Sequence, residues 1–483
     1  MLFNSYVFIL LYLPIVLVVY FLFNKVKKYA LSKVWLLVAS MFFCAWINYW
    51  YLIILCFSIL VNYSVYYVLQ RRRTITFCTI GILANIIFLV YFKYCNFFLE
   101  NINSILNTDF NSINVILPLG ISFYTFQQIA FLVDCYKDST IQYSFLDYCL
   151  YICYFPKLSQ GPMAYHHELI SQFNDLNKKS RNDENIARGL YLFAIGLGKK
   201  IFLADTLAGI VSLGYEHVET LSTLSALVVT LSYTLQIYFD FSGYCDMAAG
   251  VSYMFNIELP LNFDLPYQAR SVSQFWKRWH MTLTRFFTKY IYIPLGGSRA
   301  GIAKTCINTM IVFTISGIWH GAAWTFIIWG IIHGILLVFE RLTGRFIERV
   351  PVVLGQITTL GIVNIAWIFF RAESLTQASR MIKRIFAGGL GGISMHITEY
   401  VNETVEASIL CNLDILGVVN KMPEVLLILL LVFALIFVWH EKNIQKELSE
   451  IVLTRKKSIL TIVILTWGIL SLAGHSEFIY FNF

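Results

Sequence analysis

Residues 306–339 read CINTMIVFTISGIWHGAAWTFIIWGIIHGILLVF, two apolar runs joined by the segment around His320. Because a membrane-spanning helix needs about 20 mostly apolar residues, the runs 306–319 and 322–339 predict a pair of membrane helices with His320 at their connection. An ionisable side chain at membrane depth is costly and usually serves a function. This stretch therefore predicts both a helical membrane fold and a candidate site within it.

The composition of the whole chain is that of a membrane protein. The 483 residues are 58% hydrophobic and 13% charged, with a mean hydropathy of +0.67, whereas a soluble domain carries about 25% charged residues. The net charge of +8 comes mostly from short loops, where lysine and arginine set membrane orientation, so it does not indicate nucleic acid binding. The first apolar run begins near Met1 without a basic region or a cleavage site, which predicts a retained helix and no signal peptide.

Apolar segments recur along the entire chain. Twelve of them predict membrane-spanning helices: residues 6–23, 34–50, 51–69, 75–98, 115–133, 190–213, 221–239, 306–319, 322–339, 352–370, 425–439 and 459–472. Three further segments, 145–155, 240–260 and 291–297, predict re-entrant or interfacial elements, which a membrane tolerates only when they are buried in protein. We therefore predict an all-α polytopic membrane protein, a bundle of roughly 11–13 transmembrane or re-entrant helices.

One membrane domain, residues 1–483, accounts for the whole sequence, and no internal repeat is apparent in it. Within it we distinguish N-terminal helices (1–114), a core (115–345) and C-terminal helices (346–483). Since no soluble domain is attached, we expect any chemistry to occur within the bundle or at its edge.

Short basic loops predict the orientation of the bundle, because lysine and arginine are enriched on the cytoplasmic side. Loops 25–28, 71–73 and 178–181 are basic and are expected in the cytoplasm, which places both termini on the extracytoplasmic side. The basic residues at 371–384 are an exception. They belong to a loop of about 50 residues, and long loops follow the rule poorly.

A second histidine, His280, lies in the aromatic and basic stretch SQFWKRWHMTLTRFFTKYIYIPLGGSR, residues 273–299. On one helix Trp276 and His280 are four residues apart and share a face, with Trp279 beside them. One interpretation is an amphipathic helix anchored at the membrane interface. The other is that Arg278 and its cationic neighbours contact a phosphorylated ligand at the cytoplasmic face. The two interpretations are compatible, and the sequence leaves both open.

Two carboxylates, Asp240 and Asp246, interrupt another apolar stretch, LQIYFDFSGYCDMA at residues 235–248, and Ser242 lies between them. A carboxylate inside a membrane is normally paired, and the candidate partners of these two are Arg278, Arg285 and His280. A salt bridge that fixes helix packing and a catalytic role are both open.

The setting of His320 predicts a neutral imidazole, because burial disfavours the charged ring. Such a ring is either held by neighbouring helices as a structural residue or serves as general base for a hydroxyl that attacks an acyl carbonyl. The chain has no Gly-x-Ser-x-Gly elbow and no apparent Cys–His pair, so no covalent nucleophile is evident. The ten cysteines include no CxxC pair, and the spacing of Cys and His predicts no metal site.

Several motifs resemble those of the membrane-bound O-acyltransferase (MBOAT) family, above all its branch of alginate O-acetylation membrane proteins. In chain order they are PLGISFYTFQQIAFLVDCY (118–136), FPKLSQGP (155–162), GLYLFAIGLGKKIFLADTLA (189–208), LQIYFDFSGYCDMA (235–248), QFWKRWHMTLT (274–284), YIPLGGSR (292–299), SGIWHGAAWTFIIWG (316–330), AWIFFRAESLTQA (366–378) and FIYFNF (478–483). The resemblance implies a helical bundle around a central tunnel, with His320 as the catalytic histidine and His280 as the second characteristic one. It also implies that the acyl donor enters from the cytoplasm and that the acceptor waits on the outer side.

The resemblance further implies an O-acetyltransferase of the bacterial cytoplasmic membrane. Such an enzyme moves acetyl from a cytoplasmic thioester, acetyl-CoA, to hydroxyls of an extracytoplasmic polysaccharide such as alginate, cellulose or peptidoglycan, with an SGNH-type partner protein and no bound cofactor. The residues expected along the substrate and donor tunnel are Trp276, Arg278, Trp279, Trp319, Asp240 and Ser242. Two alternatives stay open: transfer of D-alanine to teichoic acids, and a transporter without acyl chemistry, against which the absence of repeats argues.

Overall fold

A computed structural model gives the fold of the protein and describes residues 1–113, 115–299, 301–347, 350–403, 423–473 and 479. The regular structure of these residues is helical, and they contain no strand. The all-α prediction is therefore confirmed. The predicted motif at 478–483 lies outside the described residues except for Ile479.

The described residues form a succession of helices. In chain order they are α1 (Leu13–Lys25), α2 (Tyr29–Ala45), α3 (Tyr49–Arg71), α4 (Ile75–Leu89), α5 (Cys95–Leu106), α6 (Ile121–Lys137), α7 (Phe145–Cys153), α8 (Phe155–Leu158), α9 (His166–Asn174), α10 (Asp183–Gly198), α11 (Thr206–Glu216), α12 (Thr223–Met254), α13 (Val272–Trp276), α14 (Met281–Phe287), α15 (Ile302–His320), α16 (Trp324–Ile347), α17 (Val352–Arg371), α18 (Leu375–Ala387), α19 (Met395–Glu403), α20 (Pro423–His440), α21 (Ile444–Glu447) and α22 (Arg455–Leu470). π-Helical turns at Val90–Tyr94 and Lys199–Asp205 join α4 to α5 and α10 to α11. Turns of this kind are frequent at functional sites.

Eight helices in the described part of the chain are long and apolar enough to cross a membrane. They are Phe8–Lys25, Tyr49–Arg71, Ile75–Leu106, Thr223–Met254, Ile302–His320, Trp324–Gly344, Val352–Arg371 and Glu424–Glu447. The prediction of a polytopic membrane protein is confirmed. Three further predicted spans correspond to α2, α6 and α22. These helices have 17, 17 and 16 residues, slightly short of the length that a membrane span needs, so their crossing of the membrane stays a prediction. The predicted span at 190–213 falls in the continuous α10–α11 helix, which carries Lys199, Lys200 and Asp205.

Helix α12 contradicts the predicted re-entrant element at 240–260. The helix runs without a break from Thr223 to Met254, so the predicted span 221–239 and most of that element are one helix. Lys200 pairs with the Asp240 carboxylate within this helix. The sequence from Thr223 onwards has no proline before Pro260, so no proline interrupts the helix. The short segment at 145–155, by contrast, forms α7, most of which is buried in protein as expected.

The chain divides into two compact units. Unit 1 consists of Met1–Leu197, Tyr244–Leu261 and Ile444–His475, and unit 2 of Gly198–Gly243, Asn262–Asn443 and Ser476–Phe483. Helix α12 contributes residues to both units. All eight residues that the sequence predicts for the site belong to unit 2. The single membrane domain and its central tunnel stay predictions.

Polar side chains join three helices of unit 1. Gln128 Oε1 on α6 accepts hydrogen bonds from Ser58 Oγ and Asn62 Nδ2 on α3, each at 2.8 Å. Asn85 Nδ2 on α4 donates to Asn62 Oδ1 at 2.6 Å. Such bonds between helices stabilise bundles in a membrane, where lipid removes the hydrophobic driving force between helices.

Candidate functional site

Close packing of α15 on α16 positions His320. A Cβ added to Gly317 would lie 2.4 Å from the carbonyl oxygen of Phe326, and one added to Gly330 would lie 3.0 Å from the Gly317 Cα. The two backbones therefore touch, as small residues permit in pairs of membrane helices. His320 is the last residue of α15, because Gly321 adopts an extended conformation (φ −162°, ψ 153°) that ends the helix.

Aromatic rings surround the His320 side chain, and the residue is only 3% exposed. Its ring centroid lies 4.8 Å from Trp319, 5.0 Å from Trp329 and 5.1 Å from Phe370. These three rings come from α15, α16 and α17, so the orientation of the imidazole depends on three helices. The lining is apolar, which keeps bulk water away from the ring.

His280 lies in a sharp turn between α13 and α14. Helix α13 ends at Trp276, His280 adopts the left-handed region (φ 44°, ψ 49°), and α14 begins at Met281. The prediction that Trp276 and His280 share one helix face is therefore wrong. A left-handed conformation is costly for a residue with a Cβ, so tertiary contacts impose it. One of them is the Met281 N–H, which donates to the Asn262 carbonyl oxygen at 2.9 Å.

Hydrogen bonds fix the tautomer of His280. Asn262 Oδ1 accepts from His280 Nδ1 at 3.1 Å and from Thr282 Oγ1 at 2.8 Å. Because an amide oxygen only accepts, Nδ1 carries the ring proton and Nε2 carries the lone pair. Burial lowers the pKa of His280 to about 3, so the ring is neutral at physiological pH. The edge of the Phe241 ring packs against it, with centroids 4.9 Å apart.

The structure brings His280 and His320 together, although 40 residues separate them in the sequence. Their ring centroids are 6.4 Å apart, and the Trp319 ring lies 6.2 Å from His280 and 4.8 Å from His320. At this separation both rings can contact one bound substrate. A buried imidazole in such a place can take a proton from a hydroxyl group held beside it.

Both tryptophans of the 273–299 segment lie inside the protein. The Trp276 indole N–H donates to His333 Nδ1 at 3.2 Å. The Trp279 ring packs against Phe263 and Trp367, with centroids 5.0 Å and 5.1 Å away. The aromatic face of this segment therefore packs in the interior of unit 2, and the interpretation as an interfacial anchor is wrong for it.

Arg278 is a half-buried cation in the same turn as His280. Its Nη1 donates to the Leu265 carbonyl oxygen at 3.4 Å, and it pairs with no carboxylate among the described residues. Its neighbour Lys277 is exposed. The turn thus combines a neutral imidazole with positive charge, and contact of Arg278 with a phosphorylated ligand stays a prediction.

Asp240 is paired with Lys200, which the sequence analysis did not single out. Lys200 Nζ lies 2.7 Å from Asp240 Oδ1 and 2.8 Å from Asp205 Oδ1, and the side chains of Lys200 and Asp240 are each 2% exposed. The Ile479 N–H donates to the other Asp240 oxygen at 2.9 Å. For Asp240, the three predicted partners, Arg278, Arg285 and His280, are therefore wrong. The pairing joins α12 to the π-helical turn at Lys199–Asp205, which indicates a structural role for Asp240.

Ser242 lies two residues farther along α12. Its side chain is buried, and its Oγ has no hydrogen-bond partner in the described part of the chain. Between Asp240 and Ser242 lies Phe241, whose ring contacts His280. This part of α12 therefore borders the histidine pair through Phe241.

Three residues of the site were missed from the sequence: Lys200, Asn262 and His333. Two of them could have been found from the sequence, because Lys200 and His333 are ionisable residues inside predicted membrane spans. The same argument singled out His320, which lies next to a predicted span. Nothing in the sequence pointed to Asn262, since an asparagine between apolar segments is common in loops.

The described residues contain no group of three His, Cys, Asp or Glu side chains arranged to hold a metal ion. In unit 1, His166 Nε2 lies 3.3 Å from Asp134 Oδ2, and its Nδ1 lies 3.0 Å from the Tyr143 hydroxyl. The ring of His166 is thus engaged by protein groups on both sides.

Comparison with known proteins identifies the family. The family model described as "MBOAT, membrane-bound O-acyltransferase family" matches residues 67–374, which include both histidines. The chain belongs to this family. The resemblance drawn from the motifs is confirmed, and with it the prediction that the protein is an acyltransferase.

Individual relatives show which branch of the MBOAT family the chain resembles. A peptidoglycan O-acetyltransferase of Helicobacter pylori is 41% identical over 438 residues, 83% of this chain and 83% of the relative. A "Probable alginate O-acetylase AlgI" of Pseudomonas aeruginosa is 35% identical over 407 residues, 82% of this chain and 76% of the relative. A teichoic acid D-alanyltransferase of Bacillus subtilis is 27% identical over 233 residues, 46% of this chain and 59% of the relative. The likeness to O-acetyltransferases covers far more of the chain, and a transporter without acyl chemistry is set aside.

Proposed function

We propose that this protein transfers acetyl groups from a cytoplasmic thioester, acetyl-CoA, to hydroxyls of a cell-envelope polysaccharide outside the bacterial cytoplasmic membrane. The observation that carries the proposal is the pair of buried imidazoles, His280 and His320, 6.4 Å apart in a membrane acyltransferase. Peptidoglycan is the acceptor that we favour, because the relative named for that activity is 41% identical to this chain.

His320 acts as the general base in the proposed reaction. The acceptor hydroxyl oxygen attacks the thioester carbonyl carbon while the His320 imidazole takes the hydroxyl proton. The C–S bond then breaks, and the departing sulfur takes this proton from the imidazolium. The products are an acetyl ester and the free thiol of CoA, and His320 is neutral again. Base assistance of this kind contributes about 10²–10⁴-fold.

His280 has a different role in the proposed reaction, and this role follows from its tautomer. Its Nδ1–H is donated to Asn262, so the ring offers an acceptor nitrogen, Nε2. A thioester of CoA carries amide N–H groups on the arm behind its sulfur. We assign His280 to accept a hydrogen bond from that arm and thereby to hold the carbonyl carbon beside His320.

Arg278 belongs to the donor side of this scheme. It lies two residues before His280, is half-buried and forms no ion pair within the described residues. A half-buried guanidinium that forms no ion pair with the described residues can bind the phosphates of CoA. Where an SGNH-type partner takes part, the attacking hydroxyl is that of the partner's serine, and a polysaccharide hydroxyl then attacks the resulting serine ester, which moves the acetyl group to the polysaccharide and frees the serine.

Reconstitution tests the proposal. The purified protein is placed in proteoliposomes with acetyl-labelled acetyl-CoA on one side and soluble peptidoglycan fragments on the other, with and without the partner. We expect alkali-labile acetyl ester on the fragments and one CoA thiol for each ester formed. Activity with a D-alanyl carrier protein and none with acetyl-CoA would instead support D-alanyl transfer, for which the Bacillus subtilis relative is the specific observation. Release of no CoA under any condition would contradict the proposal.

A further inference from the structure

Helix α16 holds the short helix α13 at both of its ends. At the start of α13, the Glu340 carboxylate accepts the backbone N–H groups of Val272 at 2.5 Å and of Ser273 at 2.7 Å. At its end, the Trp276 indole N–H donates to His333 Nδ1 at 3.2 Å. His333 and Glu340 are seven residues apart, so two helical turns place both on the same side of α16. These two contacts join α13 to α16 at both ends of the short helix.

The same helix also supports the other histidine of the pair. Gly330 of α16 packs against Gly317 of α15 at backbone distance, and α15 ends with His320. Helix α13 in turn leads within four residues to His280. Helix α16 is therefore the common support of the segments that carry the two imidazoles.

His333 also reaches the histidine pair through packing. Its ring centroid lies 5.0 Å from Trp329, and Trp329 lies 5.0 Å from His320. His333 is completely buried, and its Nε2 makes no hydrogen bond with any described residue. A buried polar atom without a partner costs stability. An apolar residue at this place would avoid that cost, so the bond from Trp276 to Nδ1 is the reason to have histidine here.

We propose that His333 and Glu340 are positioning residues that set the separation of His280 and His320. They act through α13 and Trp276, and neither contacts the reacting atoms. Since the inference assigns both imidazoles to one reaction, it rests on the proposed function. A displacement of about 1 Å at a reacting centre can lower a rate by about 10²-fold, so a small shift of α13 is sufficient for a measurable effect.

The central comparison is between two substitutions of His333. In His333→Asn the side-chain oxygen lies near the place of Nδ1 and still accepts from Trp276, whereas His333→Leu keeps a similar volume without an acceptor. We expect His333→Leu to lower kcat for acetyl transfer at least tenfold, by the positioning effect above, and also to raise the KM for acetyl-CoA, because the displaced turn carries His280 and Arg278, which hold the donor in the proposed scheme. His333→Asn should recover most of the loss. Ile335→Leu, on the same helix but more than half exposed, is the matched control and should leave kcat unchanged.

A double-mutant cycle tests whether the bond itself is responsible. Trp276→Phe removes the donor and should lower kcat on its own. In the His333→Leu background it should cost much less, because the bond is already gone. Glu340→Gln keeps one of the two acceptor oxygens at the start of α13 and should give a smaller loss than Glu340→Ala.

A second readout does not depend on activity. Solid-state NMR of protein with ¹⁵N-labelled histidine reports the hydrogen bond from His280 Nδ1 to Asn262 through the ring-nitrogen shifts. We expect these shifts to change in His333→Leu and to stay as in the wild type in His333→Asn and Ile335→Leu. Unchanged His280 shifts in His333→Leu would overturn the inference, and so would a wild-type kcat in that variant. Wild-type protein that transfers no acetyl contradicts the proposed function, while the NMR comparison still decides the role of His333.

Discussion

Replacing His320 with glutamine separates the general base from the packing around it. The imidazole contacts Trp319, Trp329 and Phe370 at centroid distances of 4.8–5.1 Å, so alanine would leave a hole among these rings. Truncation of a large buried side chain to alanine costs about 2–5 kcal/mol of stability. Glutamine fills most of the space and keeps a hydrogen-bonding group, and its amide cannot take a proton at neutral pH.

The expected effect is therefore confined to the chemical step. Loss of a general base lowers kcat by about 10²–10⁴-fold, which corresponds to about 3–5 kcal/mol of transition-state stabilisation. The KM for acetyl-CoA should change little, because in the proposed scheme His280 and Arg278 hold the donor. The melting temperature in detergent should stay near that of the wild type.

Initial rates of ester formation in proteoliposomes provide the assay, and thermal unfolding of the same preparations provides the control for folding. His320→Ala serves as a comparison, since it should lose both activity and thermal stability. The reasoning is refuted if His320→Gln is folded as well as the wild type and retains near-wild-type acetyl transfer. His320 would then be a structural residue held by its aromatic neighbours.

Four further predictions follow from the packing, the charges and the loops. Gly317→Ala should lower the free energy of unfolding by about 1–3 kcal/mol, since the added Cβ would lie 2.4 Å from a backbone oxygen. Gly344→Ala is the control and should leave the free energy of unfolding unchanged, because no atom of the surrounding described residues lies within 4 Å of the added Cβ. Thermal unfolding of both variants checks this prediction. Lys200→Met should cost about 3–5 kcal/mol because it leaves the Asp240 carboxylate buried and unpaired, and adding Asp240→Leu should restore part of the loss of stability. Arg278→Ala should raise the KM for acetyl-CoA at normal protein levels. An unchanged KM in steady-state kinetics would show that Arg278 does not bind the donor. Arg72→Cys should resist an impermeant maleimide added to intact cells, and efficient labelling there would reverse the predicted orientation.

The sequence by itself determined the class of the fold and the two central residues of the site. Apolar runs of spanning length are a local property of the chain, and the cost of leaving backbone groups unbonded in lipid turns such runs into helices wherever they occur. For the same reason His320 was recognisable, because a histidine beside apolar runs is conspicuous without any knowledge of its neighbours. His280 was recognisable through the surrounding QFWKRWHMTLT motif.

Only the tertiary structure decided how these residues are arranged. The stretch from Phe275 to His280 favours a continuous helix by its own pattern, and contacts with Asn262 from another segment impose the left-handed turn at His280. The partner of Asp240 was missed for a similar reason, since any buried cation satisfies the carboxylate and only the packing of α12 selects Lys200. The distance between the two imidazoles and the bond from Trp276 to His333 depend on close contact between helices that are far apart in the chain. Hydropathy and spacing describe neighbours along the chain, whereas these contacts arise from the shapes of side chains that meet only after the helices have packed.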